Sequence, residues 1–409
     1  MKNRAYLDIL LLVSLFVIPK LSFVSSIFNY YDELVFIFML FTVVHRVILK
    51  HKKLLFPVSL FFYILYSFFL IYYNTIPISH VMQIFISSKF LIIFLYFYTY
   101  SDKYKVYFFN KLMKFVIFIF IISFILSILQ FVLPSYFGGY TSDGRGWHGI
   151  NAGGIFFSRI SYSSFLLMCI ILLMSIKINS EQKFNRLIKH RYKILFIALF
   201  LLVLTFARKE LVLSLMLLLY LFKDRVKSNS KIVFYLILFS FIVIALMLFA
   251  ILYSDLNNAT FTEKQVRYLM LLSSLNIFEY YFPFGSGPGT YGSIMSIDYT
   301  TVYEAFNVPR HIYLGYGDDI RGPIFDLYLV GVMAEYGMGI LFFLWFLKKM
   351  ALSASPQNMD QYINTKKAKI ALVLQLFIVA IFVPIFSNWI GFLIFSMLGT
   401  LSSGGKRNG

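Results

Sequence analysis

The chain is a succession of apolar runs of near bilayer-crossing length, separated by short basic segments. A helix needs about 20 apolar residues to cross the hydrocarbon core of a membrane. The runs are 5–28, 33–49, 54–73, 81–100, 112–134, 155–176, 193–207, 210–222, 232–253, 324–347, 369–385 and 388–402. Hydrophobic residues make up 60% of the chain and charged ones 13%, against about 45–50% and about 25% in a soluble domain. One water-soluble core cannot hide that surplus. The expected class is an all-α polytopic membrane protein with about 12 transmembrane helices, forming a single integral membrane domain over 1–409.

Two pairs of runs need a decision. Residues 193–222 can be read as one long helix or as two short spans broken at Ala207-Arg208-Lys209-Glu210. One helix would put the basic segments 177–193 and 223–231 on opposite sides of the membrane, against the positive-inside rule, so two spans are expected. The same argument splits 369–402 near Pro384 and Asn388. Both termini are then cytoplasmic. Of the 37 Lys and Arg residues, 27 fall in cytoplasmic segments. The Gly-rich segment 138–154 and the long polar interval 255–323, between spans 9 and 10, face outward.

The formal net charge of +19 raises the question of nucleic acid. The basic residues sit in short loops rather than on a separate domain, so no nucleic-acid partner is expected. The single Cys169 permits no disulfide or thiolate metal site within one chain. The N-terminal apolar run is long and has no convincing small-residue cleavage site. A retained first span is expected rather than a cleaved signal.

Ten basic residues fall outside the cytoplasmic segments: Lys20, Lys89, Arg145, Arg159, Arg208, Lys209, Lys264, Arg267, Arg310 and Arg321. On this topology they lie in the outer half of the membrane or in outer loops. A cation at the bilayer centre costs at least about 2.5–3.5 kcal/mol, so each must pair, snorkel or bind something. Pairing accounts for single cases, such as Arg208 with Glu210. Several cations converging on one leaflet suggest an anion site, with phosphate or pyrophosphate matched by Arg forks.

The segment 138–154 offers Arg145, Trp147, His148 and Asn151 on a glycine-rich stretch. Trp147 can stack on sugar or anchor at the interface, and no metal-ligand spacing accompanies His148. In the long interval, 263–281 carries apolar residues at helical spacing and includes Arg267, so a helix is expected near the outer surface. Pro283-Phe-Gly-Ser-Gly-Pro-Gly-Thr-Tyr-Gly292 reads as a chain of turns. It is not a nucleotide loop, since no Gly-Lys-Ser/Thr follows. Arg310-His311 and Asp318-Asp319-Ile320-Arg321 lead to the tenth run, which opens with Asp326 and carries Glu335. Glu335 is expected to be structural and paired with an intramembrane cation.

Four stretches together resemble the O-antigen polymerase/O-antigen ligase superfamily, the Wzy-like and ligase-like integral membrane glycosyltransferases. They are Gly144-Arg145 with Asn151, and Thr205-Phe-Ala-Arg208. The third is Arg267 followed by Phe282-Pro-Phe-Gly-Ser-Gly-Pro-Gly-Thr-Tyr291. The fourth is Asp326-Leu-Tyr-Leu with Ala334-Glu-Tyr-Gly337-Met-Gly339, whose glycines are more tightly spaced than in the family. Ligases carry His-Asn where this chain has Asp326-Leu327, which looks more like a polymerase. His311 lies fifteen residues upstream and is followed by Ile.

The resemblance implies a GT-C-like fold and a metal-independent, inverting transfer without cofactor at the outer face of the bacterial cytoplasmic membrane. The donor would be a glycan on undecaprenyl pyrophosphate and the acceptor a hydroxyl of a second lipid-linked unit. A chain-length regulator and a flippase are the implied protein partners. Asp326 is the first candidate base and His311 the second. The alternative for Asp326 is an acid favoured at a helix N-terminus. Arg145, Arg208, Arg267, Arg310 and Arg321 are candidates to hold the pyrophosphate, assisted by Lys89 and Arg159 from within the membrane. Two other readings remain: an O-antigen ligase acting on lipid A-core, and a polysaccharide transporter or flippase without chemistry.

Overall fold

The computed structural model describes residues 2–19, 31–50, 55–139, 149–177, 185–222, 261–297, 299–314 and 327–403. Among these the chain is mostly helical and holds no strand, only two isolated bridges. The all-α expectation is met. Two helices, Ile78–Tyr98 and Asp102–Val132, are long and apolar enough to cross a membrane. Shorter apolar helices include Val58–Tyr73, Arg159–Ser175, Tyr192–Leu204 and Trp389–Leu401.

The chain divides into two compact units, each built from three separate stretches. The first comprises Met1–Ile9, Asp102–Asn257 and Ser355–Gln375. Its longest helix, α1 (Asp102–Val132), has 31 residues, or about 47 Å at 1.5 Å per residue. That exceeds the hydrocarbon core of about 30 Å. At its basic end Lys111 donates to the Tyr6 hydroxyl at 2.8 Å and Tyr104 donates to Asp8 at 2.5 Å. Helix α2 (Arg159–Ser175) starts at Ser158, whose side chain accepts the Ser161 amide at 3.4 Å. Against α2 pack α3 (Asn185–Leu204) and α4 (Arg208–Phe222). The break between α3 and α4 falls at Thr205-Phe206-Ala207, so 193–222 is two helices, as the charge argument required. Phe206 takes φ 52° there, and the Thr205 hydroxyl donates to the Leu202 carbonyl at 2.7 Å.

The second unit comprises Leu10–Ser101, Asn258–Ala354 and Leu376–Gly409. Its centre is α5 (Val81–Tyr98), largely buried and with its apolar residues spread around the axis, the pattern of a core or membrane helix, while Gln83, Ser88 and Lys89 are the buried polar exceptions in its first half. On it pack α6 (Tyr31–Lys50), α7 (Leu55–Tyr73) and α8 (Trp389–Leu401). Helix α8 approaches closely because position 399 is Gly: a Cβ there would stand 2.5 Å from the Phe94 carbonyl oxygen. Its start is capped by Asn388, which accepts the Gly391 amide at 2.9 Å. The preceding helix, Thr365–Phe382, ends before Pro384, so 369–402 is broken where expected.

Helix α7 ends in a left-handed Thr75, φ 51°. The Ile76 amide reaches back to the Ile71 carbonyl at 3.0 Å, and the two isoleucines pack together. This is the Schellman arrangement with its hydrophobic contact. The helix expected over 263–281 is present as α9 (Phe261–Tyr280). The tenth run departs from expectation. It is not one continuous span but two helices, α10 (Tyr328–Tyr336) and α11 (Gly339–Leu352), broken at Gly337 with φ 53°.

Candidate functional site

The glycine-rich turn joins the end of α9 to the break between α10 and α11. Helix α9 closes when the Tyr281 amide bonds the Ile277 carbonyl, and the Phe284 and Gly285 amides both turn back to the Tyr281 carbonyl. A helix end leaves its last carbonyls without intrahelical partners. At the end of α10 these are the Ala334 and Glu335 carbonyls, and the turn supplies the donors. Ser286 N–H bonds Ala334 O at 2.9 Å, and Gly287 N–H bonds Glu335 O at 2.8 Å. In return, Met338 N–H bonds Pro283 O at 2.8 Å.

Two glycines make this contact possible. Gly285 has φ +84° and a Cβ there would lie 2.4 Å from the Gly337 nitrogen; a Cβ on Gly337 would lie 2.3 Å from the Pro283 oxygen. Both positions need the left-handed region and a bare backbone.

The Glu335 side chain lies inside the turn and is 2% exposed. Its Oε1 accepts the Tyr291 amide at 3.0 Å and the Ser293 hydroxyl at 2.6 Å. The Gly289 and Thr290 amides also face it. Burying a carboxylate costs several kcal/mol, and each hydrogen bond to a charged group contributes about 1.5–3 kcal/mol. The turn's donors offset that cost. The expected partner is corrected: the turn's amides and a serine hydroxyl hold the acid, in place of an intramembrane cation. The reason is geometric, because the helix break at Gly337 folds the turn's N–H groups over the carboxylate.

Around this hub the polar groups are matched. Tyr291 donates to the Met270 carbonyl at 3.0 Å, so the turn is tied to α9. Burial pushes the Tyr291 phenol up to about 12, which keeps it a neutral donor at physiological pH. The Tyr303 hydroxyl accepts the Gly292 amide at 2.9 Å and lies 2.7 Å from the Ser296 hydroxyl. Its phenol is raised further by the same burial. The Tyr303 ring stacks on Tyr313 with centroids 4.5 Å apart. From α7, Tyr66 donates to the carbonyls of Phe284 and Tyr336, and Asn74 donates to that of Gly285. His80 Nδ1 stands 3.2 Å from the Pro288 carbonyl. A carbonyl only accepts, so Nδ1 carries the proton.

The first unit holds a smaller counterpart. Gln130, fully buried in α1, accepts the Gly153 and Gly154 amides at 2.9 and 3.0 Å through Oε1 and donates to the Gly154 carbonyl at 3.2 Å. It holds the stretch that contains Asn151, itself buried with its backbone N–H on the Gly139 carbonyl. Sequence reasoning passed over Gln130. The available signal was a single amide side chain deep in an apolar run.

The other candidates are distributed as follows. Lys89 is buried in α5 and lies 2.5 Å from Asp32 and 2.7 Å from Glu33. Its charge is met by two carboxylates from α6, the pairing alternative to anion binding. Arg159 is the first residue of α2 and is half-buried. Arg310 opens the short helix Arg310–Leu314 and is exposed. Arg145, Arg321 and Asp326 lie outside the described residues, as do Trp147 and His148. The backbone at Arg208, Arg267 and His311 is helical, and their side chains lie outside the described set. Among the described residues no group of three His, Cys, Asp or Glu side chains could hold a metal ion.

The architecture is that of a helical protein that has, among the described residues, two helices long and apolar enough to cross a membrane, and in which a polar turn is locked into the break of a helix. Compared with models of known protein families, with curated proteins and with solved structures, the chain shows no match.

Proposed function

We propose that the chain is a polymerase of lipid-linked oligosaccharide repeat units, a multi-pass enzyme of the bacterial cytoplasmic membrane. In this reading there are about twelve spans, both termini are cytoplasmic, and the transfer occurs at the periplasmic face. The observation that carries it is the hub closed by Glu335. It makes one rigid piece of the two motif stretches that resemble the glycosyltransferase superfamily, 282–291 and 334–339. Arg267 sits on the helix that feeds this hub, and Asp326 two residues before the helix that closes it.

The transfer needs one bond made and one broken. The acceptor hydroxyl oxygen attacks the anomeric carbon of the donor sugar, with inversion. The bond from that carbon to the pyrophosphate oxygen breaks, and the pyrophosphate leaves on its lipid. The hydroxyl proton passes to Asp326, with His311 as the second candidate. Within the second unit, Arg267, Arg310 and Arg321 are the candidates to meet the leaving charge. Lys89, already neutralised by Asp32 and Glu33, belongs to the scaffold in this reading. Pyrophosphate is a good leaving group, so converging arginines suffice without a metal.

The turn itself does not cradle phosphate, because its inward amides are used by Glu335. Its part is positioning, which can supply much of a transfer rate. The test is incubation of purified protein with a single lipid-linked repeat unit. A ladder of longer products is expected. Unchanged starting material overturns the reading, as does, when lipid A-core is added, transfer to that acceptor alone.

A further inference from the structure

The second unit contains a cavity of about 570 Å³ beside the hub, within the range of small-molecule pockets, about 300–1,000 Å³. Its walls come from α7, α5, the Pro283-Phe284 corner, α10 and α11, and among the described residues no charged side chain lines it. Of the five hydroxyl-bearing side chains in its wall, those of Tyr63, Tyr66, Ser87 and Tyr336 are occupied, and Tyr328 is the fifth. Those of Tyr63, Ser87 and Tyr336 close on one another at 2.7–3.2 Å, and Ser87 donates to the Gln83 carbonyl at 2.6 Å. The Tyr66 hydroxyl is held by two carbonyls. What remains on offer is aromatic and aliphatic surface with the single phenol of Tyr328.

Two lining residues, Phe62 and Met338, are themselves exposed, so the cavity opens to the surface between α7 and the α10–α11 break. Around that opening Phe61, Leu65 and Leu341 are exposed as well. Ser87, Phe90 and Leu91 line the wall from the middle of Ile78–Tyr98, one of the two helices able to cross a membrane. The middle of such a helix lies at the depth of the hydrocarbon core, where lipid chains are the surrounding solvent.

We propose that this cavity takes the hydrocarbon chain of a membrane lipid, entering sideways past Phe62 and Met338. The inference is independent of glycan transfer. It requires only that Ile78–Tyr98 crosses a bilayer. A prenyl chain and an acyl chain share the chemistry that these walls recognise.

The test reconstitutes the full-length protein in vesicles of phosphatidylethanolamine. In one arm a fraction of that lipid carries a diazirine in its acyl chain. In the other, a prenyl phosphate carries it. After photolysis, labelled positions are mapped by peptide mass spectrometry. Labelling of Leu91, which is buried and faces the cavity, is expected in at least one arm, and the arm that labels it names the source. Val332→Trp, which fills the cavity, should abolish the Leu91 label. Label on the exposed Phe61 and Leu65 should persist and report an inserted, folded protein. Label on Phe61 and Leu65 with none on Leu91 in either arm overturns the proposal. So does a Leu91 label that Val332→Trp leaves unchanged. Should Val332→Trp fail to insert, the wild-type pattern alone decides.

Discussion

The Tyr291 amide donates to the Glu335 carboxylate at 3.0 Å across forty-four positions of sequence. Through this contact a glycine-rich turn and a broken helix become one body. Without Glu335 the Tyr291 N–H and the Ser293 hydroxyl would be buried with no acceptor there. Each unsatisfied buried donor costs about 1–3 kcal/mol. Glu335→Ala is therefore expected to destabilise the protein by about 2–6 kcal/mol and to shorten or abolish the product ladder. Glu335→Gln, which keeps one acceptor oxygen, should lose less. Thermal unfolding in detergent orders the three proteins, and an alanine variant as stable as wild type refutes the clamp.

The glycine contact makes a second, sharper comparison. Gly285→Ala places a Cβ 2.4 Å from the Gly337 nitrogen, whereas a Cβ on Gly149 meets nothing within 4 Å. Both positions have positive φ, so both variants carry the left-handed strain of about 1–2 kcal/mol. Only Gly285→Ala must also push the turn off the helix break. Folded yield after detergent extraction should fall for Gly285→Ala and stay near wild type for Gly149→Ala. Equal yields would show that the close approach is dispensable.

Lys89 separates scaffold from ligand binding. Lys89→Met leaves Asp32 and Glu33 without their cation, and breaking a buried pair costs about 3–5 kcal/mol. The triple variant Lys89→Met, Asp32→Asn, Glu33→Gln removes charge from both sides and should recover most of the stability. On the scaffold reading it also recovers polymer synthesis. A stable triple variant that makes no polymer returns Lys89 to the pyrophosphate site.

Arg267→Ala and Asp326→Ala test the chemistry directly. Each is expected to abolish long glycan chains while the protein still inserts in the membrane. Full-length polymer from both variants, read as a ladder on a gel, removes these two residues from the proposed site.

Gln130 offers the same kind of test in the first unit. Gln130→Leu strips the acceptor from the Gly153 and Gly154 amides, at about 1–3 kcal/mol for each buried donor. Gln130→Glu, which keeps the acceptor, should be milder. Melting temperatures that rank leucine above glutamate would overturn the clasp.

Much of the architecture follows from the sequence because the relevant physics is local. Apolar runs and their lengths announce helices. Charge placement calls for a break at 207–210 and another near Pro384; the first falls slightly earlier, at 205–207, with Arg208 already helical, and the second is where expected. The helix over 261–280 follows from its spacing. The glycines of 285–292 mark a turn, since left-handed backbone without a Cβ is a local property of the residue.

What the sequence could not decide is who partners whom. An acid in an apolar run demands a partner, and spacing alone offers any cation or donor within reach of the folded chain. Tertiary structure resolved that choice. Gly337 breaks the tenth run, the break frees two carbonyls and turns a carboxylate inward, and the turn's amides close over both. The same holds for Lys89, whose two carboxylates come from a helix more than fifty residues away. Hydrophobic length is written along the chain, whereas the satisfaction of a buried polar group is a property of the fold.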